Sequence, residues 1–169
     1  NNFTQNTILR FGTLDLVRSD WRKYQLALDE EINNDNDNTD FSVGIVGIQE
    51  NEESYVSPPG VEREQFNNNN TIIRQNEQSL SLKVQNLKPK DLRAVYKNID
   101  LDLRHYKKIK MFVHAEGEED NLEDGDLACF LRLGTDFTSN YYQYEISLKA
   151  TPHGATNPSV IWPSKNEID

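Results

Sequence analysis

The chain has 169 residues, with 18 Lys and Arg against 28 Asp and Glu, for a formal net charge of −10. That length sets an expectation of one domain, and the acidity excludes a sequence-independent grip on nucleic acid or on an anionic membrane surface, both of which need a basic face. No apolar run is long enough for a membrane-spanning helix, and a lone cysteine, Cys129, excludes an internal disulfide and a cysteine-built zinc site.

In chain order the pattern is one of short strands. Residues 8–17 (ILRFGTLDLV) are a first strand candidate, and Tyr24, Leu26 and Leu28 form a second. Residues 33–38 (NNDNDN) and 67–70 (NNNN), where much of the chain's asparagine collects, read as surface loops. Residues 41–48 (FSVGIVGI) are apolar on both faces, which predicts a central strand, and residues 57–60 (SPPG) must be loop because two prolines do not fit a central strand. Leu80, Leu82 and Val84 alternate with Ser81 and Lys83, and residues 88–93 (KPKDLR) predict a single turn. Ile99, Leu101 and Leu103 alternate with Asp100 and Asp102, and Ile109, Met111 and Val113 follow in the same rhythm. Leu127, Cys129, Leu131 and Leu133 line one face of a further strand, residues 134–140 (GTDFTSN) make a hairpin loop, and Tyr142, Tyr144, Ile146 and Leu148 line the returning strand. Pro152, Gly154, Pro158 and Pro163 break up the C-terminal stretch, where no helical period of useful length occurs.

Half-buried alternation repeated this often predicts an all-β chain. The expected architecture is an antiparallel two-sheet sandwich, jelly-roll-like and similar to galactose-binding and carbohydrate-binding modules, with residues 1–169 as a single domain. Asn1 stands where a start methionine would, so the chain reads as a piece of a longer protein.

Candidate chemistry is sparse. Residues 118–126 (EEDNLEDGD) are dense in carboxylates, and Asp120, Asp124 and Asp126 are candidate oxygen ligands for a structural calcium. Counted as an EF-hand from Asp120, the loop has Leu122 and Leu131 where ligands belong, so the simpler reading is a solvated loop. His105, His114 and His153 do not form an HExxH spacing, no GxSxG is present, and Cys129 lies inside an apolar alternation. No pair among the 28 acids is singled out for glycoside hydrolysis, so no enzyme is expected, and no cofactor beyond the calcium. Tyr141 and Trp162 are candidate sugar-stacking aromatics: Tyr141 shares its face with Gln143 and Glu145, which predicts exposure, whereas Tyr142 and Tyr144 share theirs with Ile146 and Leu148, which predicts core. Charge is segregated. Residues 29–53 hold nine acids and no base, residues 116–126 seven acids and no base, and residues 83–110 nine bases against three acids. Lys107, Lys108 and Lys110 are therefore candidate contacts for an acidic partner surface, the plain alternative being the solvent face of a strand.

Four segments together carry a family resemblance: residues 55–64 (YVSPPGVERE), 75–84 (QNEQSLSLKV), 93–116 (RAVYKNIDLDLRHYKKIKMFVHAE) and 129–146 (CFLRLGTDFTSNYYQYEI). From about residue 8 onward the chain resembles the SprA/Sov family, the very large outer-membrane translocon of the type IX secretion system of Bacteroidota. The resemblance implies a parent β-barrel that exports folded cargo bearing C-terminal sorting signals across the outer membrane and, in gliding species, supports display of motility adhesins. This stretch would be a non-catalytic soluble domain of it, extracellular or periplasmic. It would contact the remainder of the barrel, outer-membrane or periplasmic partner proteins and exported cargo, without inserting into the membrane or binding nucleic acid. The resemblance carries over no catalytic residue. The competing reading from the residues alone is a carbohydrate-binding module of a secreted or cell-surface protein.

Overall fold

The computed structural model describes residues 21–24, 38–51, 55–68, 71–118 and 122–169. The strand candidate at residues 8–17, Leu26 and Leu28, most of the NNDNDN loop and Asp120 lie outside the described residues. The described chain is β-rich: β1 (Arg22–Lys23), β2 (Asp40–Gly47), β3 (Gln65–Asn68), β4 (Thr71–Arg74), β5 (Gln78–Gln85), β6 (Val95–Tyr96), β7 (Met111–Phe112), β8 (Ala128–Gly134), β9 (Tyr141–Ser147) and β10 (Glu167–Ile168). They pair as antiparallel two-stranded ladders, β1 with β6, β2 with β5, β3 with β4, β7 with β10 and β8 with β9.

The β2·β5 ladder pairs the apolar run of residues 41–48 with the period-two pattern of Leu80, Leu82 and Val84. Its register sets Phe41 beside Val84, Val43 beside Leu82 and Ile45 beside Leu80, one apolar face of the pleat. The other face is Ser42 beside Lys83, Gly44 beside Ser81 and Val46 beside Ser79. That face offers little to bury, so the expected central strand, apolar on both sides, is instead half-buried with one ladder neighbour among the described residues. The loop at residues 55–60 is stitched to β5: the Tyr55 hydroxyl meets Glu77 (3.0 Å) and Ser79 (2.7 Å), and the Ser57 hydroxyl donates to Glu77 (2.9 Å). The expected Asn67–Asn70 loop begins later than its composition suggests, because Asn67 and Asn68 pair with Ile72 and Thr71 in the β3·β4 ladder.

The turn expected at residues 88–93 closes through the Asp91 N–H on the Lys88 carbonyl (3.0 Å), with Lys90 at φ 67 after Pro89. The strand expected at Ile99, Leu101 and Leu103 does not form. Residues 97–102 have no ladder partner among the described residues, and a 3-10 turn follows at Leu103–His105. Asp102 causes the departure locally. Its carboxylate accepts the Arg104 N–H (3.1 Å) and grips the Arg104 guanidinium through both oxygens (2.8 and 2.7 Å), a side-chain alternative to strand pairing. Of the strand expected at 109–113, only Met111 and Phe112 pair.

The core sits at the C-terminal end of the described chain. Ala115, Leu148, Ile161 and Ile168 are buried there, with Thr151 and Asn166 as buried polar residues. Asn166 is 1% exposed, and its amide mimics a strand: Oδ1 accepts the Lys149 N–H (2.7 Å) and Nδ2 donates to the Lys149 carbonyl (2.9 Å). Around it the Val113 N–H donates to the Asn166 carbonyl (3.2 Å) and the Thr151 N–H to the Ala115 carbonyl (2.8 Å). A short helix, α1 (Pro158–Ile161), closes the core; Asn157 caps it by accepting the Ser159 N–H (3.0 Å), and Pro158 occupies the first turn, where its missing donor costs nothing.

Asn166→Ala removes both side-chain bonds and leaves the Lys149 peptide without partners. At about 1 kcal/mol per bond plus the unmet groups, a loss of about 2–3 kcal/mol is expected, measured as a lower urea midpoint at unchanged slope.

Candidate contact surface

The β8–β9 hairpin is the most regular part of the described chain. Its register places Cys129, Leu131 and Leu133 beside Ile146, Tyr144 and Tyr142 on one face, and Phe130 and Arg132 beside Glu145 and Gln143 on the other. Burial pushes the Cys129 thiol up, which keeps it a neutral, weakly reactive side chain. The loop between the strands is organised by Asp136. Its Oδ1 accepts the N–H groups of Thr138, Ser139 and Asn140 (3.0, 2.6 and 2.9 Å), and its Oδ2 accepts the Asn140 side-chain amide (2.5 Å). These donors, the Asn140 backbone N–H foremost, hold the Asp136 carboxyl well below the usual carboxylate range. Gly134 is required at the loop's mouth, because a Cβ there would lie 2.1 Å from the Asn140 carbonyl oxygen and 2.6 Å from Tyr141 Cα.

The tyrosines of this hairpin are covered in the reverse of the expected order, while Cys129, Leu131, Leu133 and Ile146 on the apolar face are half-buried. Tyr142 is 87% exposed and Tyr144 50%, although both sit on the apolar face. Tyr141 is half-buried, because Arg132 lies across it with Cζ 4.2 Å from the ring centroid and 5.1 Å from that of Phe130. Arg132 is itself held by Gln143 Oε1 (2.6 Å) and by the Phe137 carbonyl (2.7 Å). Alternation shows which residues share a face but not which face finds a lid. A long arginine on the polar side supplied one over Tyr141, whereas Tyr142 and Tyr144 are left exposed. On the loop, Phe137 packs against Tyr24 (4.7 Å between centroids) and Tyr96 (4.9 Å), tying the hairpin tip to the β1·β6 ladder.

Trp162 is a half-buried clasp. Its indole N–H donates to the Val56 carbonyl (2.9 Å) and its ring meets Phe112 (6.2 Å) and His114 (5.8 Å). Burial pushes the His114 imidazole down, opposed by the charge of Glu116, whose Oε2 is 3.6 Å away. The Glu116 carboxylate also accepts from His153 Nδ1 (2.9 Å) and from the Gly154 N–H (2.9 Å). Beside this cluster is a cavity of about 270 Å³ lined by Gly117, Leu122, Asp124, Ala150, Thr151 and Pro152.

Two carboxylates of the acidic loop accept backbone N–H groups. Asp124 accepts the Ala150 N–H (2.9 Å) and Asp126 the Glu123 N–H (2.9 Å). Among the described residues no group of three His, Cys, Asp or Glu side chains is placed to hold a metal ion. The lysines separate. Lys108 pairs with Asp169 (2.9 Å), and Lys110 pairs with Glu167 (2.5 Å) while lying over the Phe112 ring (5.1 Å), so both fasten β10 to β7. Lys107 is exposed and makes no ion pair among the described residues. Sequence reasoning missed Asp136 and Asn166. An aspartate followed by Thr, Ser and Asn is a side-chain-to-backbone turn signal that could have flagged the first, whereas no local signal marks the second.

A family model named SprA_N, described as motility related/secretion protein, matches residues 1–169, the whole chain. No curated protein matches it. Among the described residues no helix is long and apolar enough to cross a membrane.

A depressed Asp136 contributes stability that is present above the ordinary value of 3.8 and is lost as pH falls below it. Amide exchange in residues 138–140 is therefore expected to rise relative to the strands below about pH 4, and Asp136→Ala to show that faster exchange already at pH 7. His114 has the opposite chemistry and the same direction. With its folded value held below 6.5, its contribution is complete above that pH and lost as pH falls through it, so His114→Phe is expected to flatten the stability profile between about pH 7 and 5 in urea titrations.

Proposed function

Because the chain belongs to the SprA_N family of motility related/secretion proteins, we propose that it is a non-catalytic domain of the type IX secretion translocon, promoting export across the outer membrane through protein–protein contacts. The whole-chain family match carries this reading. The surface supports it: Leu82, Ile99, Leu101, Tyr106, Tyr142 and Tyr144 are large apolar or aromatic side chains left exposed, the composition of a contact face. The domain works in the cell envelope, against the remainder of the barrel, its outer-membrane or periplasmic partners, or the cargo in transit. β2·β5 and β8·β9 each carry six side chains on one largely apolar face, and a two-sheet sandwich would have to leave Leu82, Val84, Tyr142 and Tyr144 at its open edge, where they stand exposed.

Lys108 and Lys110 are engaged with β10, so charge reversal there would damage the fold as well as any contact. Tyr142 and Tyr144 are the cleaner probes. The double substitution Tyr142→Ser, Tyr144→Ser in the full-length parent is expected to lower secreted cargo several-fold at unchanged parent level and unchanged outer-membrane fractionation. Unchanged export would overturn the contact reading for this face. The exposure of these two tyrosines also favours one alternative, a glycan-stacking face. That alternative predicts retention of the wild-type protein on a polysaccharide column and loss of retention in the double variant.

A further inference from the structure

β6 ends at Tyr96, opposite Arg22 of β1, and the chain then runs on through residues 97–102 without regular structure. Every residue from 97 to 110 is exposed. Asn98, Ile99, Asp100 and Leu101 make no hydrogen bond, ion pair or ring contact among the described residues. Yet this stretch has the cleanest strand pattern in the chain: Ile99 (51% exposed), Leu101 (52%) and Leu103 (36%) alternate with Asp100 and Asp102. Unpaired backbone N–H and C=O groups at residues 98–101 beside an apolar row in water are a template for strand addition.

We propose that residues 98–102 are a β-edge that receives a partner strand in which apolar residues alternate with Lys or Arg. Charge selects this occupant over a second copy of the chain. In an antiparallel self-pairing, matching Ile99 with Leu101 sets Asp100 against Asp100. Matching Ile99 with Leu103 sets Asp100 against Asp102. Like charges directly opposite destabilise a ladder. A strand with bases at those positions turns each repulsion into an attraction while its apolar residues cover Ile99, Leu101 and Leu103. The aspartates act as negative selection against self-association at an edge that nothing else among the described residues guards. The inference goes beyond the secretion reading and does not depend on it.

The test uses the whole chain and two short synthetic peptides, one alternating lysine with valine and one alternating glutamate with valine, with residue-resolved amide exchange as the readout. With the lysine peptide at about ten times its Kd, exchange at residues 98–101 is expected to slow about tenfold, and the glutamate peptide is expected to have no effect. Asp100 and Leu101 make no hydrogen bond, ion pair or ring contact among the described residues and are exposed, so substitutions there are expected to leave the fold intact, checked by circular dichroism. Leu101→Pro removes a ladder donor and is expected to abolish the slowing, and Asp100→Lys to weaken the lysine peptide and admit the glutamate one. Equal slowing by both peptides, slowing by neither, slow exchange before any peptide is added, dimerisation through this edge, or retained slowing in Leu101→Pro would each overturn the proposal.

Discussion

A buried side-chain amide must find both a donor and an acceptor, and Asn166 finds them on a single residue, Lys149. That pairing sets the last segment of the chain beside the exit of β9, and the neighbouring structure follows from it. Once Asn166 is in place its own carbonyl accepts the Val113 N–H, β7 and β10 come into register, and Ile161 and Ile168 join Ala115 and Leu148 among the buried apolar side chains. Leu148, adjacent to the residue that Asn166 grips, accepts from Gly125 and donates to Leu127, so the acidic loop and the hairpin hang from the same point. The ion pairs of Lys108 and Lys110 lie outside this centre. They are exposed and screened, and they trim a register that the buried amide has already decided.

The rest of the described chain is held more lightly. A ladder of two strands is marginal in water unless its apolar face is covered. Each of the longer ladders here has a covered and an open region, with Phe41 buried at one end of β2·β5 and Leu82 and Val84 open near the same edge, and Leu148 buried beyond β9 while Tyr142 stands in solvent. A family member that works by contact gains from this division. The small C-terminal core keeps its shape while the open faces remain available.

How far the sequence could be read depends on what each feature rests on. Period-two alternation found β5, β8 and β9 to within a residue or two, because those strands pair over their whole length and alternation is the signature of pairing; β2 was placed by its apolar run instead. It failed at Ile99–Leu103, where the same alternation has no ladder partner and Asp102 turns its chelating carboxylate onto the next residues instead. It also failed for Tyr141 and Tyr142, since parity assigns faces but the lid on one face is Arg132, whose reach across two rings is a three-dimensional fact. The helix at Pro158 was written locally in the Asn-Pro cap and went unread because it is four residues long. Asn166 was illegible in principle: an asparagine between Lys165 and Glu167 looks like surface until its partner 17 residues back is known. The family resemblance rested on strings that the structure puts to use, among them the Gly134, Asp136 and Asn140 triplet that closes the hairpin.

The clasp between Trp162 and Val56 has a consequence for the order of assembly. The two residues are 106 apart in sequence, so their hydrogen bond closes a very long loop, whereas the hairpin centred on Asp136 closes over a handful of residues. Closure entropy grows with loop length and local pairings form first. The tip around Asp136 can therefore mature early, with the Tyr55 to Gly60 segment docking onto the C-terminal core as the late event. A chain that completes its wrap last passes through a state in which the indole is still uncovered, and that interval is when a chaperone or an incoming neighbour has access to it.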